Sequence, residues 1–165
     1  MRQPPSKLSD PPDGKSQAGA AKPTGRQPSE KPGVLVVDED HHVRIMVQLS
    51  LERNGFDVWL ARSGREAIDL YRRHTKEIAV VLLDVRMPRL DGLQTLEALR
   101  ELNSEVQACF ISGDTGTYEP EELLQRGAAY VIAKPFLLDD LTNILRLMAQ
   151  GVPAHLLPSS RVRQG

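Results

Sequence analysis

The spacing of hydrophobic and polar positions changes period from one stretch of the chain to the next. Val34-Leu35-Val36-Val37 is a continuous apolar run ending in acids, the pattern of a short strand covered on both faces. Val43, Val47 and Leu51 then recur at helical spacing over 41–53, and Asn54-Gly55 supplies a C-terminal stop. Phe56 to Leu60 reads as a second strand. A helix starts after Ser63 and runs to about His74, with Ala67, Leu70 and Tyr71 facing inward and Glu66 spaced for a capping box. Ile78 to Leu83 is the clearest buried strand, and Leu93, Leu96 and Leu99 place a helix over Leu90 to Leu102. Val106 to Ile111 is a fourth strand with Cys109 as core filling. Pro120, flanked by Glu119, Glu121 and Glu122, suits the first turn of a short helix. Ala129 to Ala133 is a fifth strand. Leu137, Leu138, Leu141, Ile144, Leu145 and Met148 form the wide apolar stripe of a last helix.

Strands alternating with helices imply an α/β fold with a parallel sheet covered on both faces. Right-handed crossovers leave few topologies, and the flavodoxin-like (βα)5 three-layer sandwich, strand order 2-1-3-4-5, is the expected one. In that order functional groups gather at the C-terminal ends of the strands beside the switch point.

Composition narrows the domain. Seven of the twelve prolines fall in residues 1–33 among Gly, Ser, Lys and Gln, so 1–32 is expected to be a disordered tail. The domain spans 33–149, and 150–165 is expected to be a short flexible tail. Formal net charge is −1 overall, yet the stretch 34–149 alone carries −6. An acidic domain is a poor partner for nucleic-acid phosphates, so no direct nucleic-acid binding is expected. Aromatics make up 4% of the chain, leaving the core to Leu, Val, Ile and Ala. No apolar run is long enough to span a membrane, no signal-peptide stretch opens the chain, and a single cysteine fits a reducing compartment. A cytoplasmic location is expected.

The polar residues at strand ends carry the chemistry. The first strand ends in Asp38-Glu39-Asp40, the third in Asp84, the fourth in Ser112 and the fifth in Lys134-Pro135. These clusters converge on one rim of the predicted sheet. Crowded carboxylates repel and raise one another's pKa unless a cation neutralises them. Mg2+ commonly sits beside phosphates on one or two carboxylates, a carbonyl and waters.

This arrangement resembles response-regulator receiver domains, over roughly residues 33–149. Val37-Asp38-Glu39-Asp40, Leu83-Asp84-Val85-Arg86-Met87-Pro88 with Leu90-Asp91-Gly92, Ile111-Ser112-Gly113 and Lys134-Pro135-Phe136 match its motifs. The resemblance implies a phosphorylation-activated switch of a two-component phosphorelay, catalysing only its own phosphorylation and dephosphorylation. It makes Asp84 the phosphoacceptor, with Ser112 and Lys134 contacting the phosphoryl group. Mg2+ is assigned to Asp38, Glu39, Asp84 and the backbone carbonyl of Arg86. A histidine kinase or histidine phosphotransfer protein is the implied donor, output runs through a protein partner, and the state is a monomer or a phosphorylation-dependent dimer. The bond before Pro135 is cis in the family, and Asp91-Gly92 shapes the loop into the third helix. Arg86 and Asp114 occupy positions that control water access to the phosphate, and are expected to pair across it.

Two positions depart from the family, and at one of them Ser112 stands where threonine is commoner, a permitted variant. The usual switching Tyr or Phe is replaced by Val131, with Tyr130 on the opposite face of the strand. A short, stiff valine cannot make the usual aromatic swing, so the Gly113-Asp114-Thr115-Gly116 loop is expected to be the mobile element. Adjacent His41 and His42 point about 100° apart on a helix and are read as solvent-facing, not as a metal pair. The competing function is a haloacid-dehalogenase-like phosphohydrolase with Asp38 as nucleophile, which leaves Asp84 unexplained. A binding module that has lost phosphorylation is the third reading, opposed by the intact acids, Ser112 and Lys134.

Overall fold

The computed structural model describes residues 30–113 and 118–159. The expected disorder of the N-terminal tail therefore falls, up to residue 29, outside the described residues, as does the expected mobility of Asp114, Thr115 and Gly116.

Five strands and five helices alternate: β1 (Gly33–Val37), α1 (His41–Arg53), β2 (Asp57–Ala61), α2 (Gly64–His74), β3 (Ile78–Asp84), α3 (Gly92–Leu102), β4 (Gln107–Ser112), α4 (Pro120–Gln125), β5 (Tyr130–Ala133) and α5 (Leu138–Ala149). The sheet is wholly parallel in the order β2-β1-β3-β4-β5. This is the flavodoxin-like topology that the alternation predicts.

Side chains alternate across the strands and divide the core into two layers. Val34 and Val36 of β1, Val80 and Leu82 of β3, and Cys109 and Ile111 of β4 pack under α1 and α5 with Val47, Leu51, Leu141 and Leu145. Leu35, Val37, Val81, Leu83, Ala108 and Phe110 face the other way, onto Ala67, Tyr71, Leu93, Leu96, Leu99 and Leu123 of α2, α3 and α4. Both faces of the central strands are buried, which is why β1 and β3 read as unbroken apolar runs. Val131 packs in the second of these layers and Tyr130 in the first, as their alternation requires.

Helix starts depart from the apolar pattern where polar groups decide. Asp91 caps α3 by accepting from the Gln94 amide at 2.8 Å, and the Gln94 side chain accepts from the Asp91 amide at 3.0 Å. That reciprocal capping box starts the helix at Gly92, two residues after the leucine repeat suggests. At α2 the expected box is half formed. Ser63 caps the Glu66 amide at 3.3 Å, while the Glu66 carboxylate accepts from Arg62 at 2.9 Å, one residue before the cap.

Helix α4 is one and a half turns long, and Leu123 is its only buried side chain. Polar links tie its C-terminal end to α3. Arg126 reaches Glu97 at 2.7 Å, and Arg100 donates to the carbonyls of Arg126 and Gly127 at 3.2 and 2.7 Å. Gly127 sits at φ +103°, and a Cβ there would meet the Arg100 guanidinium.

The stretch from residue 150, expected to be a tail, is described as far as Ser159. A 3-10 turn spans Ala154–Leu156, Leu157 enters the core beneath α5, and the Tyr130 hydroxyl donates to the Pro158 carbonyl. An apolar side chain nine residues past Met148, the end of the last predicted helical stripe, has no periodic partners to announce it. Leu157→Ala should lower unfolding free energy by about 2 kcal/mol, the low end for a buried leucine because a chain end can settle into the space. Urea denaturation of the purified domain measures it.

Candidate functional site

The parallel register brings the strand ends to one rim. Val37 lies opposite Leu83, Asp84 opposite Ile111, and Ser112 opposite Ala133. Three backbone bonds extend the register beyond the strands: Asp38 to the Ala61 carbonyl at 3.2 Å, Val85 to Ile111 at 3.0 Å and Lys134 to Ser112 at 2.7 Å. The residues carrying the polar groups are thus fixed by sheet hydrogen bonds.

Asp38 and Asp84 are both buried, 2% and 7% exposed, and Lys134 lies between them. Its ammonium is 3.4 Å from Asp84 Oδ1 and 3.6 Å from Asp38 Oδ2, long contacts shared by two acids. Asp38 Oδ1 accepts from the Asp40 amide at 2.8 Å, whereas Oδ2 is buried without a hydrogen-bond partner. Burial, followed by the charge of Asp38, pushes the Asp84 carboxyl above its ordinary pKa, and Lys134 pulls only part of the way back. One ammonium faces two carboxylates, so the site is short of positive charge.

The other predicted residues divide. Ser112 is buried beside Asp84 at the end of β4, its hydroxyl turned to the Gly113 carbonyl at 3.3 Å. Glu39 is exposed on the rim, bordering a shallow groove that runs past Arg86 and Met87 to Asp91 and Tyr118. Arg86 is exposed, and Asp114, its expected partner, lies outside the described residues. The Lys134–Pro135 bond is cis. His41 and His42 are exposed with ring centroids 6.0 Å apart, in agreement with the solvent-facing reading.

Among the described residues no three His, Cys, Asp or Glu side chains gather as a ready-made metal cage. The donor set nevertheless fits Mg2+, which takes oxygen ligands, needs only one or two carboxylates and keeps several waters. The lack of a hydrogen bond to Asp38 Oδ2 and the charge deficit beside Asp84 are what a divalent ion would relieve. A cavity of about 480 Å3 opens at the far end of the sheet, near Trp59, Lys76 and Arg146. It is remote from the buried acids, and its charges alternate in sign.

A family model described as the response regulator receiver domain matches residues 34–146. The chain belongs to that family. Response regulator MprA of Mycolicibacterium vanbaalenii is 37% identical over 115 residues, covering 70% of this chain and 49% of the relative. MprA of Mycobacterium avium is 36% identical over the same length. The receiver thus spans about half the length of the curated relatives it matches. Among solved structures, the Francisella response regulator 1452 receiver domain superposes with TM-score 0.66 at 30% identity, covering 73% of this chain and 98% of that one. The CheX-CheY-BeF3-Mg2+ complex from Borrelia burgdorferi matches with TM-score 0.64 at 27% identity, covering 73% and 90%. Within the described residues of the receiver, no helix is long and apolar enough to cross a membrane.

The receiver also uses residues that the sequence did not single out. Arg44 of α1 donates to the carbonyls of Asp38 and Glu39 at 2.6 and 2.9 Å. Tyr118, just before α4, donates its hydroxyl to Asp91 Oδ2 at 3.1 Å, packs its ring on the core and lies under the Arg126 guanidinium, 5.8 Å away. It joins the segment after β4 to the cap of α3, whose Gly92 amide bonds Val85, the residue after Asp84. A tyrosine among turn residues gives no signal by itself. Tyr118→Phe should cost about 1 kcal/mol, the net value of one hydrogen bond, by chemical denaturation. No change would show the hydroxyl satisfied equally well by water.

Proposed function

We propose that this receiver is a phosphorylation switch in a two-component phosphorelay and that Asp84 is its phosphoacceptor. The observation that carries the reading is a buried Asp84 that shares the Lys134 ammonium with Asp38, whose Oδ2 has that ion pair at 3.6 Å but no hydrogen bond. A carboxylate in that setting is a nucleophile held in place and short of positive charge. An Asp84 oxygen attacks phosphorus, the Asp84 O–P bond forms, and the bond from phosphorus to the donor nitrogen of a phosphohistidine breaks, returning the pair to the imidazole. Lys134 is placed to neutralise a phosphoryl oxygen. Ser112 turns from Gly113 to donate a hydroxyl hydrogen bond to another.

Asp38, Glu39, Asp84 and the Arg86 carbonyl are the proposed holders of Mg2+. Such an ion, when bound, supplies charge stabilisation to an in-line phosphoryl transfer. The BeF3-Mg2+ named in the Borrelia CheY complex supports the same chemistry here. The donor would be a histidine kinase or histidine phosphotransfer protein, and the output a protein partner. The hydrolase alternative with Asp38 as nucleophile is set aside. The chain matches the receiver family, and Asp38 Oδ1 is committed to the Asp40 amide.

Intact mass after incubation with acetyl phosphate and Mg2+ tests the reading. One phosphoryl group mapped to Asp84 is expected. An adduct on Asp38, or none, overturns it.

A further inference from the structure

The turn after β1 is bound from several sides. Asp38 Oδ1 accepts from the Asp40 amide at 2.8 Å, and Asp40 caps α1 by accepting from the His42 amide at 2.8 Å. The same turn is gripped from α1 by Arg44, whose Nη1 reaches the Asp38 carbonyl at 2.6 Å and the Glu39 carbonyl at 2.9 Å. Nη2 lies 3.5 Å from His41 Nδ1.

The choice of partner is unusual. Three carboxylates, Asp38, Glu39 and Asp40, stand within six residues of Arg44, and a guanidinium normally pairs with a carboxylate, its strongest acceptor. Among the described residues Arg44 makes no ion pair and bonds two successive carbonyls instead. A guanidinium on Asp38 or Glu39 would occupy oxygens that a cation needs. One on the carbonyls fixes the backbone and leaves those oxygens open. Asp38 Oδ2, buried, without a hydrogen bond and only in a long 3.6 Å ion pair with Lys134, is such an oxygen.

We propose that Arg44 is a positioning residue for the cation site, locking the turn by its backbone so that the carboxylates of Asp38 and Glu39 stay available to the ion. The inference rests on the cation-assisted phosphoacceptor reading. It also has a definite sign. Arg44 carries a permanent positive charge that by itself repels a second cation. Removing it tightens Mg2+ binding if charge dominates and weakens it if positioning dominates.

The test uses the full chain as Arg44→Met, which keeps the aliphatic stem, and as Arg44→Lys, which keeps charge and N–H donors. Mg2+ alone is titrated and followed by amide chemical shifts. Order parameters of the Glu39 and Asp40 amides are measured without metal. The Met variant should bind Mg2+ about tenfold more weakly, the loss typical of removing a group that orients a ligand. Its Glu39 and Asp40 amides should become more mobile in the metal-free protein, and the Lys variant should recover most of the affinity. Equal or tighter Mg2+ binding by the Met variant, or unchanged amide order, overturns the proposal. A wild-type chain that takes up no Mg2+ while the Met variant loosens the turn would retain Arg44 as its lock and sink the cation reading instead.

Discussion

Asp84→Asn should accept no phosphoryl group from acetyl phosphate and should melt at a higher temperature than wild type. The amide is nearly isosteric with the carboxylate but cannot attack phosphorus, so uptake falls to zero while the fold persists. The gain in stability has a separate origin. Asp84 is buried, faces Asp38 and is only partly offset by Lys134, so its carboxyl titrates above the ordinary value of 3.8. The native state therefore holds this proton more firmly than the unfolded chain does. This group's contribution to stability declines as pH rises from the ordinary carboxylate value through the folded one. An amide carries no charge to bury and removes that slope. Mass spectrometry and melting curves across pH check both halves. A variant that takes up phosphate, or that melts below wild type at neutral pH, contradicts the site as described.

Gly92→Ala should be the most damaging single-atom change near the site, costing about 3 kcal/mol by urea denaturation, the upper end of what overpacking does. A Cβ at Gly92 would lie 2.3 Å from the Asp84 carbonyl oxygen and 2.8 Å from Phe110 Cε1. The carbonyl belongs to a central strand, and Phe110 is fully buried, so neither can yield cheaply. The Gly92 amide is meanwhile tied to the Val85 carbonyl at 3.0 Å. Relief must come from moving the start of α3 or the end of β3, and the second displaces Asp84. Slower phosphorylation should accompany the lost stability. A loss under about 0.5 kcal/mol would mean that the α3 entry shifts freely, in conflict with its capping box.

The legible and illegible parts of this receiver differ by kind of interaction. Strands buried on both faces announce themselves, and Val34–Val37 and Ile78–Leu83 placed β1 and β3 nearly to the residue. The topology followed from alternation, and the topology alone took Asp38, Asp84, Ser112 and Lys134 to one rim. Hydrogen bonds between side chain and backbone left little trace in the pattern, the Ser63 cap of α2 being an exception. Gln94 closing on Asp91, Arg44 on two carbonyls and Arg100 on the end of α4 are all bonds whose second partner is main chain. Any residue offers such partners, so sequence spacing locates few of them beyond a helix cap such as Ser63. Tyr118 and Leu157 were missed for a related reason. Each is a lone apolar body in a turn-rich stretch, and periodicity needs neighbours.

Helix α4 has a consequence for how the domain breathes. Six residues fall far below the length at which a helix holds itself together in water. Leu123 supplies its one buried anchor, and the remainder is stitched to α3 by Tyr118 on Asp91 at one end and by the Arg126–Glu97 and Arg100 links at the other. Exposed ion pairs are worth about 0–1 kcal/mol each. Such a segment opens at a small fraction of the free energy needed to unfold the sheet. Native-state hydrogen exchange should find the amides of residues 122–126 opening in a sub-global step well below global unfolding, while those of β3 and β4 exchange only with the whole domain. Helix α4 is then a detachable patch on the parallel sheet and its longer helices.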